Sequence, residues 1–417
     1  MRLTISPHLL SGSVTPPPSK SQLHRLILAA ALSGGESVIH TAGSSEDISA
    51  TLRCIEALGA SVSLRGTSLH ICGCPLRRST TADLPVFDCG ESGSTLRFLI
   101  PVALAVCGGG IFIGQGRLMD RPLDPYFDIF REKGIFYQKD KNRLTIKGTL
   151  PTGEYTLPGN VSSQFFTGLL YALSLLDGAS VIRATTPVES MDYIRMTLHA
   201  LDTFGVTVTQ EQGDLPGYLI HGNSRYCPQT LSAEADWSQA AFWYAAEALG
   251  SDILVERMDE ASAQGDRKIL SWRNLLKDGL SSAETITIDA SDHPDLVPPL
   301  AAWGSIGNGT LRLTGIHRLR LKESDRITSI ARTLSALGAD ITADENSLTI
   351  HGKPSLTGNT AVDCCGDHRI AMMLAIAATR CEKPITLIGA ECTAKSYPAF
   401  WDDYKKLGGI IHEHIGE

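Results

Sequence analysis

No stretch of this 417-residue chain approaches the roughly twenty consecutive apolar residues that a membrane-crossing helix requires, and no apolar run behind a basic start opens it. Neither export nor a membrane partner is indicated, and a cytoplasmic location is expected. An excess of positive charge is missing too: 37 Lys and Arg stand against 45 Asp and Glu, for a formal net charge of −8 and a pI of about 5.9. That balance argues against nucleic acid or an anionic membrane held by bulk electrostatics, so any cationic site must be local. Ten cysteines are too sparse for a disulfide scaffold, and neither Cys72-x-Cys74 nor the adjacent Cys364-Cys365 has a zinc spacing. Free thiols in a reducing compartment are expected. No Gly-x-x-x-x-Gly-Lys-Ser/Thr loop or Rossmann glycine fingerprint occurs, and Gly108-Gly109-Gly110 reads as a turn rather than a phosphate grip. The chemistry is expected to use no nucleotide, no metal and no other cofactor.

What is present is an ordinary globular composition, 43% hydrophobic and 20% charged, on a chain too long for one compact core. Two domains are expected. Along the chain one pattern returns: an amphipathic helix, a glycine that stops it, then an alternating strand. It reads as Ile48 to Leu58 with Gly59, Tyr126 to Lys133 with Gly134, Tyr193 to Phe204 with Gly205, Ile269 to Asp278 with Gly279, Ile327 to Leu337 with Gly338, and Trp401 to Leu407 with Gly408. The glycines recur at intervals of roughly seventy residues, longer than ordinary solenoid repeats, so each unit should hold two helices and several strands.

The second helix of each unit is rich in Ala, Leu and Gly and gathers its polar residues at its start. These starts are Ser21-Gln22-Leu23-His24-Arg25, Ser92-Gly93-Ser94-Thr95-Leu96-Arg97, Ser162-Ser163-Gln164-Phe165, Asp236-Trp237-Ser238-Gln239, Asp295-Leu296-Val297-Pro298 and Asp367-His368-Arg369-Ile370. A helix apolar on nearly every face requires burial on all sides, with its amphipathic sister outside. Six units divide into two pseudo-symmetric α/β (α+β) domains of three, with buried parallel helices surrounded by sheets. If the domains face each other through the helix starts, the positive dipole ends and polar clusters line one cleft. The first start is marked by Pro16-Pro17-Pro18, a stiff extended approach to a helix beginning at Ser19 or Ser21.

Cations cluster at or near these starts: Lys20, Arg25, Arg97 and Arg369, together with Arg121, Lys322, Arg326 and Lys395 in similarly polar stretches. Each alone has a plain explanation. Lys322-Glu323-Ser324-Asp325-Arg326 is also a capped helix start whose intrahelical pairs stabilise by only about 0.3–0.5 kcal/mol. Together, on an acidic protein, they read as a receptor for several anions. Asp295 and Glu323, set among these cations, are the acid/base candidates; His368 reads as a structural histidine.

Pro18-Ser19-Lys20-Ser21 with Arg25, Lys322-Glu323-Ser324-Asp325-Arg326, Asp367-His368-Arg369 and Thr393-Ala394-Lys395-Ser396 jointly resemble the EPSP synthase family of enolpyruvyl transferases, and the resemblance spans the chain. It implies the inside-out α/β barrel of the enolpyruvyl transferase and RTPC-like kind. Residues 1–19 and 233–417 would form a discontinuous domain mainly on the phosphoenolpyruvate side, and residues 20–232 one mainly on the shikimate 3-phosphate side, with the active site in the cleft between them. The implied activity is transfer of the enolpyruvyl group of phosphoenolpyruvate to the 5-hydroxyl of shikimate 3-phosphate. Lys20, Ser21, Arg25, Ser162, Ser163, Ser190, Asp295, Arg318 and Lys322 would hold shikimate 3-phosphate, with Tyr193 close by. Lys20, Gly93, Arg121, Gln164, Arg326, Arg369 and Lys395 would hold phosphoenolpyruvate. Asp295 resembles the proton acceptor and Glu323 the donor, and Lys20 joins them as catalytic.

Two positions depart from the family pattern, since Glu91 and Arg318 each stand where Asn is common. Gly93 implies sensitivity to the inhibitor glyphosate, and a monomer is expected. Two alternatives are a transferase acting on UDP-N-acetylglucosamine, which characteristically carries Lys-Asn where this chain has Lys20-Ser21, and a non-catalytic anion-binding protein on the same scaffold, which would be expected to lose Asp295 or Glu323.

Overall fold

The computed structural model describes residues 1–41, 43–74, 83–279 and 283–414. Residue contacts divide the chain into two units, Pro18–Glu234 and the discontinuous Met1–Pro17 with Ala235–Glu417. The first unit carries α1 (Lys20–Ala31), α2 (Glu46–Ala57), α3 (Gly93–Cys107), α4 (Asp124–Lys133), α5 (Ser163–Leu173) and α6 (Met191–Thr203). α1, α3 and α5 form its interior. In α1 every residue from Leu23 to Ala31 is buried, and in α5 every residue except Gln164. α2 and α6 bury one stripe each, Ile48-Thr51-Ile55 and Ile194-Thr197-Leu201. The contrast follows from apolar residues spread around the whole circumference in one class and at i, i+3, i+7 in the other. α3 and α5 approach closely at Gly168, where a Cβ would lie 2.5 Å from the Arg97 carbonyl oxygen.

Three four-stranded sheets complete this unit, each with one parallel pair followed by two antiparallel neighbours. Val86–Asp88 pairs in parallel with Gly109–Ile113 across α3, which then pairs with Arg143–Lys147 and that with Phe136–Lys139. Glu154–Leu157, Ser180–Ala184, Gly217–Ile220 and Val208–Glu211 repeat the order around α5. In the third sheet the parallel partner of Glu36–His40 is Thr230–Ser232, supplied from the far end of the unit. A parallel pair needs a crossover of a dozen or more residues, and α3 and α5 provide it in their sheets.

The other unit carries α7 (Trp237–Ala248), α8 (Ile269–Gly279), α9 (Val297–Gly304), α10 (Arg326–Ala336), α11 (His368–Ala378) and α12 (Phe400–Lys406). α7, α9 and α11 are its interior, and every residue of α9 and α11 is buried. Two of its sheets have the same four-strand order; one of them takes Arg2–Ser6 as a middle strand between Ile385–Ile388 and Ile410–His414. The third differs. The described residues give it only the parallel pair Ser11–Val14 and Asp252–Val255. Only residues 280–284 lie between α8 and the next strand, Thr285–Asp289, too few for the two antiparallel strands that accompany the parallel pair in the other five sheets. This accounts for the Gly279-to-Gly338 interval being the shortest of the series.

The helix-stopping glycines have the expected cause at five of six positions. Gly59, Gly134, Gly205, Gly338 and Gly408 all have positive φ, which an L side chain adopts only with strain. Gly279 instead lies within the last turn of α8. One further detail decides between the two starts read from the sequence, and another corrects the sequence reading. α1 begins at Lys20 with Ser19 as its cap, because the Ser19 hydroxyl accepts from the Gln22 N–H, so Ser21 lies inside the helix. Of the three consecutive glycines only Gly108 is a turn residue; Gly109 and Gly110 open a strand.

Candidate active site

Each unit gathers polar and charged residues where its three interior helices begin. In the first unit these starts are capped by side chains: Ser19, Ser92 and Ser162 each accept from a backbone N–H in the first turn of the helix that follows. Lys20, the first residue of α1, extends to Asp47 on α2 at 2.8 Å. His24 bonds Thr51, and Thr51 bonds Thr95 at the start of α3, both at 2.7 Å. Burial, the largest influence on His24, pushes its pKa down to about 3 and keeps it neutral at physiological pH.

Two groups of the expected residues come together here. Arg25 is buried beneath the first: it donates to the Ser21 carbonyl at 2.6 Å, the Tyr193 carbonyl at 2.9 Å and the Thr197 hydroxyl at 2.8 Å, with its guanidinium over the Phe98 and Tyr193 rings. Ser190 caps α6 from the left-handed region, at φ 59°, and its carbonyl accepts from the Tyr193 N–H. The second group centres on Gln164, which accepts from Arg97 at 2.7 Å and donates to Ser94 at 3.0 Å. A Cβ built on Gly93, the first residue of α3, would stand 2.6 Å from Nη1 of Arg121, so a side chain there would displace that guanidinium. Ser162 and Ser163 open α5 beside Gln164.

In the other unit the expected residues form one ion cluster. Arg326 is 1% exposed and donates from Nε to Asp367 at 2.8 Å, from Nη1 to Asp295 at 2.9 Å and from Nη2 to Glu323 at 2.7 Å. Asp295 also meets Arg369 at 3.0 Å and Lys322 at 3.9 Å. Burial alone would raise the Asp295 carboxyl, but Arg369, Lys322 and Arg326 outweigh it and hold that carboxyl well below the usual carboxylate range. Lys322 shows the reciprocal effect: burial lowers its ammonium to about 8, against the opposing pull of Asp295.

α9 has no side-chain cap. Pro298 and Pro299 fill its first turn, where a missing N–H costs nothing. Arg318 lies in the short turn before Lys322 and donates to the Ser291 carbonyl. Lys395 is buried at the end of the turn Ala390–Lys395, beside Ser396, which bonds Gln239 at the start of α7. Among the described residues no group of three or more His, Cys, Asp or Glu side chains is placed to hold a metal ion.

Three acidic residues set against the expected ones were not singled out as their partners from the sequence. Asp47 reads as an ordinary acid in a helix's first turn, which the dipole alone explains, so nothing local announces Lys20. Asp367 is the cap of α11, yet its carboxylate also braces Arg326 and accepts from Ser324 at 3.0 Å. Asp266 lies in a glycine-flanked turn with no periodic signal.

A family model described as EPSP synthase (3-phosphoshikimate 1-carboxyvinyltransferase) matches residues 6–404. A 3-phosphoshikimate 1-carboxyvinyltransferase of Clostridium kluyveri is 42% identical, covering 99% of this chain and 98% of its own length. That of Clostridium acetobutylicum is 41% identical, covering 99% of both. Among solved structures, an EPSP synthase from Acinetobacter baumannii superposes with a TM-score of 0.78 at 24% identity over 99% of this chain and 100% of that one. The enolpyruvyl transferase NikO from Streptomyces tendae gives 0.77 at 16% identity, over 100% of this chain and 99% of its own. At such identities the structural matches speak for the fold.

Arg326 is the counter-ion of three carboxylates, of which Asp367 is wholly removed from water and Asp295 and Glu323 largely so, and removing one partner of such a cluster leaves charge uncompensated. Arg326→Gln is expected to lose about 3–5 kcal/mol of unfolding free energy in urea. An unchanged unfolding midpoint would contradict the cluster's role in stability.

Proposed function

The chain belongs to the EPSP synthase family and transfers the enolpyruvyl group of phosphoenolpyruvate to the 5-hydroxyl of shikimate 3-phosphate, a step of the shikimate pathway; from that premise we propose which residues do the work. Asp295 accepts the 5-hydroxyl proton and Glu323 protonates the methylene carbon of phosphoenolpyruvate, so that the oxygen adds to the carbon bearing the phosphate. The tetrahedral adduct then returns a proton from the methyl group and expels inorganic phosphate. Lys20, Gly93, Arg121, Gln164, Arg326, Arg369 and Lys395 receive phosphoenolpyruvate. Lys20, Ser21, Arg25, Ser162, Ser163, Ser190, Tyr193, Arg318 and Lys322 receive shikimate 3-phosphate.

The observation that carries this reading is the cluster of Asp295 and Glu323 on one guanidinium, with Lys322 and Arg369 on the same Asp295 carboxylate. A carboxylate so well compensated is a poor base. Substrate anions, however, compete for Arg369 and Lys322, and each cation drawn away raises the proton affinity of Asp295. Loading the substrates therefore activates the base. The proposed residues belong to two separate units, so we assign residues 20–232 mainly to shikimate 3-phosphate and residues 1–19 with 233–417 mainly to phosphoenolpyruvate, the two closing over the substrates and expelling water. We further place the reaction in a cytoplasmic monomer.

Phosphate release is expected with shikimate 3-phosphate and not with UDP-N-acetylglucosamine. Glu323→Gln should bind both substrates yet turn over at least ~100-fold more slowly, as the loss of a general acid does. Wild-type turnover in that variant removes Glu323 from the mechanism. The side-chain-free Gly93 beside Arg121 predicts that micromolar glyphosate slows turnover at low phosphoenolpyruvate, and full activity there contradicts it.

A further inference from the structure

Behind Asp295 lies a buried polar group that the reaction above does not use. Asp266, 4% exposed, sits in the short turn Gly265–Lys268 between α7 and α8. Its Oδ2 accepts from the Ser238 hydroxyl on α7, and its Oδ1 lies 3.9 Å from Nδ1 of His293. The His293 ring is fixed edge-on against Trp272 of α8, with centroids 5.3 Å apart. His293 in turn opens the turn Pro294–Leu296, and its carbonyl accepts from the Leu296 N–H at 3.0 Å. Asp295 is the middle residue of that turn. Ser238, Asp266 and His293 are thus stacked behind the backbone that presents the Asp295 carboxylate, with the Asp266–His293 step a charge contact at 3.9 Å rather than a hydrogen bond.

Resting on the assignment of Asp295 as the base, we propose that Asp266 is a positioning residue for the reaction, aiming Asp295 through His293 and supplying a second negative charge that sets its basicity. Among the described residues the polar and charged groups acting on Asp266 come from three places. Ser238 comes from α7, His293 and Asp295 from the turn, and Arg369 from α11; on α8, Arg273 is turned away to Glu247. Arg369 is shared, since it lowers the proton affinity of both carboxyls. The charge of Asp295 makes Asp266 harder to ionise, and because Coulomb repulsion is reciprocal an ionised Asp266 raises the proton affinity of Asp295.

Burial first, and the nearby Asp295 second, raise the Asp266 carboxyl from 3.8 to about 6. It is ionised at pH 7 and takes up a proton as the pH falls through 6. Protonation cancels the charge that supports the basicity of Asp295 and weakens the hold on His293, so activity should decline there. The sign for stability is opposite. Because the folded state holds this proton more tightly than the unfolded chain, ionisation opposes folding once the pH exceeds 3.8, and that cost is still present at pH 7. An asparagine, which keeps a partner for Ser238 without ionising, should leave the protein as stable as wild type or more so.

The test compares pH profiles of kcat and kcat/KM for wild type, Asp266→Asn, Asp266→Glu and Asp295→Asn, with urea unfolding at pH 7. The proposal expects Asp266→Asn to keep both KM values and its stability, to lose on the order of 10-fold in kcat, as partners that orient a reacting group commonly do, and to lack the inflection near pH 6. Asp266→Glu should restore the inflection. A wild-type profile in Asp266→Asn overturns the proposal, as does a fall in kcat that comes with lost stability and an unaltered inflection. A folded but inactive Asp295→Asn leaves the base assignment standing whichever way Asp266 behaves; an active one removes that assignment and the proposal with it.

Discussion

A guanidinium that is 1% exposed cannot persist without compensation, and Arg326 meets that constraint with three carboxylates drawn from three different segments. Asp295 arrives on the turn before α9, Glu323 lies just before α10 and Asp367 caps α11. One buried cation thereby fixes the mutual positions of the two carboxylates proposed as acid and base. Buried ion clusters rarely add net stability over a well-packed apolar substitute. Their gain here is geometric: two carboxylates held on one fork, with Lys322 and Arg369 close enough to Asp295 to be exchanged for substrate anions.

The repeat explains why such clusters exist at all in a chain of net charge −8. Interior helices must be apolar all round, so their first turns are the remaining place where polar residues can gather without entering the core. Those same turns expose N–H groups and the positive dipole end. Local cation density at these turns is thereby independent of the overall balance.

Much of this was legible before any coordinates. Two helix classes, five of the six terminating glycines and the polar starts follow from periodicity and backbone rules alone, because those signals are local. What was not legible is tertiary. The shortened α7–α8 unit appears in the sequence only as a short interval, and its two-stranded sheet cannot be told from that interval. Asp47 and Asp266 carry no local mark, since their partners Lys20 and His293 come from elsewhere in the fold. Arg25 illustrates the same limit: its positive charge suggested an anion contact, whereas the structure commits its donors to Ser21, Tyr193 and Thr197 as well.

The residues proposed for the transfer come from both units, for Lys20, Arg121 and Gln164 fall in Pro18–Glu234 and Asp295, Glu323, Arg326, Arg369 and Lys395 in the other. In the proposed mechanism two polyanionic substrates draw these two sets of cations together, and their charge is neutralised on closure. Small-angle X-ray scattering of the Glu323→Gln protein, with and without shikimate 3-phosphate and phosphoenolpyruvate together, measures this directly. A smaller radius of gyration with both substrates present is predicted. Superimposable curves would contradict it.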